Sequence, residues 1–250
     1  MKIEFHYTYI LIAISFILTG YFSNLLIFTS IIIIHELGHY IIAKLLKLNP
    51  QKMVIYPFGG ITKMDNPVNT STNKELIVAI SGIMFQTIYY LIIIILYRNN
   101  ILREYIFNIY KKYYDNILIF NLLPIYPLDG SRILTSLLSK ILPYKKTMKL
   151  NIIISILTGL TVTYINYYEF NYTTIMVVLI IIDNLIKYHK NINYIFNNFL
   201  LERYLHRLHF KKTKKIDKIS HMYKDKYHII KQKKGYLTEK QLLIRRFNEK

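Results

Sequence analysis

The sequence predicts an all-α polytopic membrane protein of about six transmembrane helices, with a proline-broken fourth span and a short β-hairpin-like loop after span two. Three observations support this fold class. Of the 250 residues, 53% are hydrophobic, yet the formal net charge is +19. That combination is typical of apolar spans with basic flanks. Several stretches also approach the roughly 20 apolar residues that a membrane-crossing helix needs.

The first and fourth of the six predicted spans have special features. The first lacks a small-residue cleavage pattern, so we interpret it as an anchor rather than a signal peptide. The fourth is interrupted by Pro124 and Pro127, which each break the helical hydrogen-bond ladder. Broken backbone at membrane depth survives only where protein or a water-filled cavity satisfies it, so this span is expected to face a site. The predicted spans are 7–22, 25–46, 75–97, 116–138, 151–168 and 172–187.

The distribution of basic residues predicts that both termini are cytoplasmic. With an even number of spans the termini share one side, and that side carries most of the lysines in the loops and the whole basic tail. The opposite side carries a smaller basic set, namely Arg98, Arg103, Lys111 and Lys112.

An HExxH motif formed by His35, Glu36 and His39 follows four isoleucines inside the second predicted span. Two histidines at positions i and i+4 lie on one helical face. They suit one Zn²⁺, and the glutamate between them suits the role of general base on the attacking water. An ionisable residue at membrane depth is costly, so Glu36 indicates function.

A third metal ligand is needed, because catalytic zinc usually has three protein ligands. The chain has no cysteine, which leaves histidine and carboxylate as ligands. Apart from Glu75, the first residue of span three, the acidic residues in the other predicted spans are Asp129, at the proline break, and Asp183, near the end of span six. We interpret Asp183 as an interfacial polar residue beside Lys187.

The segment 53–61, between spans two and three, predicts a short strand, a Gly-Gly turn and a return strand. Its edge is a candidate for pairing with an extended polypeptide by strand addition. A hairpin that only packs over the helices is the alternative interpretation.

The C-terminal tail is strongly basic, with 18 Lys and Arg against five acidic residues in 187–250. We therefore expect residues 1–190 to form the membrane metalloprotease domain and 191–250 a basic cytoplasmic tail. Residues 200–205 suggest an amphipathic helix, and 227–243 a strand, a turn and a helix. Anionic lipid is the expected partner of this tail, and no nucleic acid is expected.

Two motifs together resemble a known family. HELGH at 35–39 with NLLPIYPLDG at 121–130 is similar to the site-2 protease family (peptidase family M50) of intramembrane zinc metalloproteases. The resemblance is closest to the sporulation branch typified by stage IV sporulation protein FB, through PFGG at 57–60, Arg132 after PLDG, and LLERY at 200–204. It implies that the zinc ligands are His35, His39 and Asp129, with Glu36 as general base.

The resemblance also implies that Asn121 lies near the substrate backbone, although a capping role at the proline break is the alternative. The implied substrate is a membrane-tethered proprotein, a pro-sigma factor during sporulation. Regulatory membrane proteins are implied as partners, and the implied location is a bacterial cell membrane, that of the mother cell around the forespore.

Two departures from the family pattern stand out. Ser131 follows Gly130 where the family often has a second glycine, and a serine is small enough to change little. The tail after LLERY is too short for the paired cystathionine-β-synthase (CBS) module of close relatives, so 227–243 is interpreted as a shortened remnant. Two alternatives stay open, a membrane protein that binds or transports a divalent metal and a non-proteolytic scaffold.

Overall fold

The computed structural model describes residues 2–56, 59–64, 68–165, 172–206, 208–210, 212–232 and 235–248. Over these residues the chain is mostly helical, as expected for this membrane protein, and it also contains two three-stranded sheets. Only one strand pair was predicted in the membrane part, so the all-α description is incomplete. The chain divides into two compact units, one of Met1–Asn66 and Ile77–Leu122, the other of Pro67–Leu76 and Leu123–Lys250.

In its described residues the first unit contains four helices and one sheet. Its elements are β1 (Lys2–Phe5), α1 (Tyr7–Leu18), α2 (Phe22–Leu45), β2 (Pro50–Tyr56), β3 (Gly59–Met64), most of α3 (Thr72–Arg98) and α4 (Glu104–Leu122).

The sheet of the first unit has the strand order β1-β2-β3. Strand β1 is parallel to β2, and β2 is antiparallel to β3, as the predicted hairpin requires. The turn was predicted at Gly59 and Gly60, but both residues belong to β3, so that prediction was wrong. Pro57 and Phe58, which separate the strands, lie outside the described residues.

Helix α2 is fixed within the first unit by apolar contacts on two sides. Tyr9 of α1 and Ile55 of β2 are buried with Ile32 of α2 in one cluster. Further along α2, Ala43 is buried with Val78 of α3 in another. The HExxH segment lies between these two clusters in the sequence, so both flanks of the motif are packed.

The longer part of the second unit, Leu123–Lys250, starts at the proline break. Pro124 and Pro127 lie in an irregular segment, because neither fits a helix interior, and α5 (Asp129–Ile141) starts two residues after Pro127. The predicted span 116–138 therefore contains the end of one helix and the start of another. The remaining elements are α6 (Tyr144–Ile165), α7 (Tyr172–Leu205), β4 (Thr213–Ile216), β5 (Tyr227–Gln232), β6 (Gly235–Thr238) and α8 (Glu239–Asn248).

The C-terminal strands and helix of the second unit follow the predicted strand, turn and helix closely. Strand β5 pairs with β4 in parallel and with β6 antiparallel, and α8 follows β6 directly. Residues 200–205 are not a separate amphipathic helix as predicted, since they form the last turns of the long helix α7.

Arg203, from the LLERY segment, holds this C-terminal region together. Its guanidinium donates to the Glu239 carboxylate at 2.9 Å and to the backbone oxygens of Tyr223 and Lys224 at 2.9 and 2.6 Å. The other Glu239 oxygen accepts from Nδ1 of His228 at 2.8 Å. Burial lowers the pKa of His228, and its Nε2 accepts the Tyr223 amide at 2.9 Å, so this imidazole is neutral.

Three helices among the described residues are long and apolar enough to cross a membrane, namely α2, α3 and α6. Helix α1 is apolar but shorter. Helix α6 begins at Tyr144, upstream of the predicted fifth span, and residues 166–168 of that span lie outside the described residues. The six-span topology stays a prediction.

Candidate active site

Helix α2 carries the three HExxH side chains into the interior of the first unit. His35, Glu36 and His39 are 3%, 4% and 2% exposed. The Nε2 atoms of the two histidines lie 3.2 Å apart, and one ligand atom from each of the three residues lies within 4.8 Å of the others. The i, i+4 spacing therefore brings both imidazoles to one point, with a carboxylate beside them.

Each histidine is oriented through its other ring nitrogen. Nδ1 of His39 lies 2.7 Å from the backbone oxygen of Val78, which can only accept, so Nδ1 is the donor. Nδ1 of His35 donates to Oε1 of Gln86 at 3.0 Å. Gln86 in turn donates through Nε2 to the backbone oxygen of Tyr114 at 3.1 Å, which settles the direction of its amide. Both Nε2 atoms are therefore left as lone-pair ligands.

This donor set fits zinc. Two imidazole lone pairs at 3.2 Å repel each other unless they share a cation, and neutral imidazole with carboxylate is a ligand set that zinc prefers. The hydrogen bonds from Nδ1 are the usual support of a metal-bound histidine. The positions and hydrogen bonds of His35 and His39 are therefore those expected of zinc ligands.

Glycines on α2 and α3 allow this close approach. A Cβ added at Gly82 would lie 2.7 Å from Nε2 of His35 and would collide with His39 as well. A Cβ added at Gly38 would lie 2.6 Å from the backbone oxygen of Ser81. Gly82 therefore leaves room beside the two ligand nitrogens, and Gly38 lets α3 pack directly against the motif helix.

The base candidate Glu36 is held by strand β3. The hydroxyl of Thr62 donates to Oε2 of Glu36 at 2.8 Å. A Cβ added at Gly60 would lie 2.8 Å from the carboxyl carbon of Glu36, so this glycine allows the strand to pass close to the carboxylate.

Asp129, the expected third ligand, is buried as the first residue of α5 in the second unit. Nη1 of Arg132 lies 3.8 Å from its Oδ1. The segment before it is held by α6, because the Tyr126 amide donates to the Ser155 hydroxyl at 3.0 Å. Ser131, the departure from the family pattern, exchanges hydrogen bonds with the Asn151 amide at 2.9 and 3.0 Å.

The other two polar candidates have less buried positions. Asn121 is half-buried in the last turn of α4. Asp183 in α7 pairs with Lys187 at 2.5 Å, and its side chain is 59% exposed, as the interfacial interpretation expects.

Sequence reasoning missed three residues of the site, namely Gln86, Gly82 and Thr62. Gln86 is the amide side chain within the apolar body of α3, and a polar residue at membrane depth is a functional signal. The pair Ser81-Gly82 is a small-residue signal for close helix packing. No local signal marks Thr62, because its partner lies 26 residues away in sequence.

A buried HExxH pair on a helix apolar enough to span a membrane defines the class as a membrane-embedded metallopeptidase. The profile of peptidase family M50 matches residues 23–114. The chain is 31% identical over 208 residues to Stage IV sporulation protein FB of Bacillus subtilis, covering 82% of this chain and 72% of that protein.

A second relative is a zinc metalloprotease of Methanocaldococcus jannaschii, 30% identical over 164 residues, which are 60% of this chain and 46% of that protein. The fold is similar to the solved Site-2 Protease from Methanocaldococcus jannaschii, with a TM-score of 0.59 and 24% identity over 74% of this chain and 89% of that one. The chain therefore belongs to peptidase family M50, as a zinc metalloendopeptidase of the intramembrane site-2 protease type.

Proposed function

We propose that this chain hydrolyses a peptide bond in or near the membrane segment of a membrane-tethered proprotein, and that the substrate is a pro-sigma factor processed during sporulation. The observation that carries the hydrolytic part is the buried grouping of His35, Glu36 and His39, with both Nδ1 protons donated to protein acceptors. The similarity to Stage IV sporulation protein FB supports the choice of substrate.

Three side chains are proposed to hold the ion: His35, His39 and Asp129. When bound, zinc supplies Lewis acidity that polarises the scissile carbonyl and makes water a stronger acid. Two of these ligands are pre-oriented by Val78 and Gln86, so little reorganisation is needed on metal binding.

Glu36 is proposed to move the proton. Its carboxylate takes a proton from the attacking water as the new carbon–oxygen bond forms. It then gives that proton to the amide nitrogen as the carbon–nitrogen bond breaks, which releases an amine and restores the carboxylate. Because the side chain is buried beside the two histidines, it is placed for both transfers.

The substrate is proposed to bind as an extended strand. A spanning helix hides its peptide bonds in backbone hydrogen bonds, so the cleaved segment must unwind first. Strand β3 ends the described sheet, whose order is β1-β2-β3, so its outer edge is suited to strand addition. Asn121 is proposed to contact the substrate backbone.

We also propose the membrane setting. The chain crosses a bacterial membrane six times with cytoplasmic termini, with residues 1–190 as the protease domain. The basic tail 191–250 binds anionic lipid through exposed lysines such as Lys212 and Lys218. Membrane proteins regulate the protease in the mother-cell membrane.

The test is Glu36→Gln, co-expressed in cells with a membrane-tethered pro-sigma-factor reporter. Cleavage should fall by at least about a hundredfold, as expected for loss of a general base. The matched control is Glu104→Gln, the same change at an exposed position in α4, which should cleave normally. Normal cleavage by Glu36→Gln would refute the proposed mechanism.

A further inference from the structure

We propose that Thr62 is a positioning residue for Glu36, which fixes the carboxylate through a hydrogen bond from the strand that binds substrate. This inference rests on the proposed function of Glu36. It adds to the proposed pairing of β3 with substrate a second role, the orientation of the base. Thr62 acts through Glu36 and does not itself touch the reacting atoms.

The geometry is specific. Thr62 is 4% exposed, and its hydroxyl lies 2.8 Å from Oε2 of Glu36 and 3.3 Å from the backbone oxygen of the same residue. A hydroxyl has one proton to donate, and the shorter contact to the charged oxygen takes it. Thr62 thus ties the Glu36 carboxylate to one point of β3.

The neighbouring residues on β3 support this role. Ile61 and Lys63 are exposed while Thr62 is buried, as the alternation of side chains along a strand requires. Gly60, two residues earlier, faces the same carboxylate, since a Cβ there would lie 3.0 Å from Oε1. The strand therefore presents to Glu36 one hydrogen-bond donor, Thr62, and one residue without a side chain, Gly60, which permits close packing.

The two carboxylate oxygens of Glu36 have different neighbours on β3. Oε2 is held by Thr62, so the side chain cannot rotate freely, and Oε1 packs closely against Gly60. A glutamate has several rotatable bonds, and a base that is misplaced by about 1 Å loses much of its efficiency. The hydrogen bond keeps Glu36 in a single orientation before substrate arrives.

Strand β3 thereby links substrate binding to base orientation. Its backbone edge is proposed to pair with the substrate, while the side chain of Thr62 holds the base. A substrate strand that adds to this edge would lie at a defined distance from Glu36, because the same strand carries Thr62, which holds Glu36.

The test compares Thr62→Val with Thr62→Ser in purified protein reconstituted in vesicles with the tethered pro-sigma-factor reporter. Valine keeps the shape of threonine and removes the donor. It should lower kcat about tenfold with KM unchanged, because the lost bond is to the charged base. Serine keeps the hydroxyl and should restore kcat to within about twofold. The matched control, Thr213→Val in β4, has an exposed side chain and should leave both constants unchanged.

Zinc content is measured for each variant and should stay full, since the Thr62 hydroxyl donates its one proton to Glu36, which is not a proposed zinc ligand. Thr62→Ala serves as a second donor-free variant if the valine protein does not fold. The inference is overturned if the donor-free variants keep the wild-type kcat, if serine is as impaired as valine, or if the loss lies in KM. Glu36→Gln is measured in the same assay. If Glu36→Gln cleaves the reporter, the proposed function is refuted. If Glu36→Gln is inactive and Thr62→Val has the wild-type kcat, only the present inference is refuted.

Discussion

At the scale of single residues, the site is a set of side chains whose partners lie on other elements. His35 and His39 come from one helix, but their orientation comes from Gln86 and Val78 on α3. The sequence predicted the two histidines and Glu36, because their spacing is a local property of one helix. It did not predict Gln86 or Thr62, because those contacts depend on packing between elements.

Replacing Gln86 with leucine should weaken zinc binding. The change removes the acceptor of the His35 Nδ1 proton, and loss of such a support typically costs about 10- to 100-fold in metal affinity. Competition with a chromophoric chelator measures this directly, without any substrate. Gln51→Leu, at an exposed position in β2, is the control. Equal affinity in both variants would show that Gln86 does not support the ligand.

Replacing Gly82 with alanine should also impair the site, for a steric reason. The new methyl group would lie 2.7 Å from Nε2 of His35, and relieving such overpacking costs about 1–3 kcal/mol. Zinc affinity should fall by about tenfold or more. Gly159→Ala in α6 is a matched control, because nothing lies within 4 Å of the added Cβ. Undiminished zinc binding in Gly82→Ala would contradict the crowded geometry.

At the scale of elements, the apolar helices α2, α3 and α6 and the strand pair β2–β3 were predictable from pattern, while the boundaries at the proline break were not. The segment 116–138 was expected as one interrupted span, yet α4 begins at Glu104 and α5 begins at Asp129. The start of α4 could not be predicted, because its Tyr and Lys residues interrupt the helical periodicity of apolar residues. Strand β1 was missed because its four residues pair with a strand that is distant in sequence.

Replacing Arg203 with alanine tests whether this residue stabilises the C-terminal strands and helix of the second unit. Changing it to alanine leaves the buried Glu239 without its guanidinium and several backbone oxygens without a donor. Breaking one partner of a buried pair costs about 3–5 kcal/mol, so β4, β5, β6 and α8 should unfold together.

Limited proteolysis of the reconstituted protein checks this, with cleavage expected after residue 205 in Arg203→Ala. Arg245→Ala, an exposed position on α8, should resist protease as the wild type does. Wild-type resistance in Arg203→Ala would show that the C-terminal sheet does not depend on this residue.

At the scale of the whole molecule, composition predicted a membrane protein, and the described surface agrees with it. Large apolar side chains are exposed along the candidate spans, among them Ile153, Ile156, Leu157 and Leu160 on α6. Such faces are stable in lipid and costly in water. Composition could not predict the division into two units, because that division depends on long-range contacts.

The chain itself makes the topology testable, because it has no cysteine. A single cysteine replacing the exposed Lys146 should react with an impermeant maleimide only from the cytoplasmic side. One replacing the exposed Arg103 should react only from the opposite side. Labelling of intact cells and of inverted vesicles gives the two readings. Labelling of both positions from the same side would overturn the six-span arrangement.

Metal-dependent hydrolysis by Glu36 is the central claim, and reconstituted vesicles test it most directly. The purified chain and the tethered pro-sigma-factor reporter are followed by gel, and the N-terminus of the released fragment is sequenced. We predict that cleavage stops when a chelator removes the metal, returns when zinc is added back, and never occurs in zinc-loaded Glu36→Gln. Cleavage that continues in the chelated protein, or at the wild-type rate in Glu36→Gln, would contradict this account.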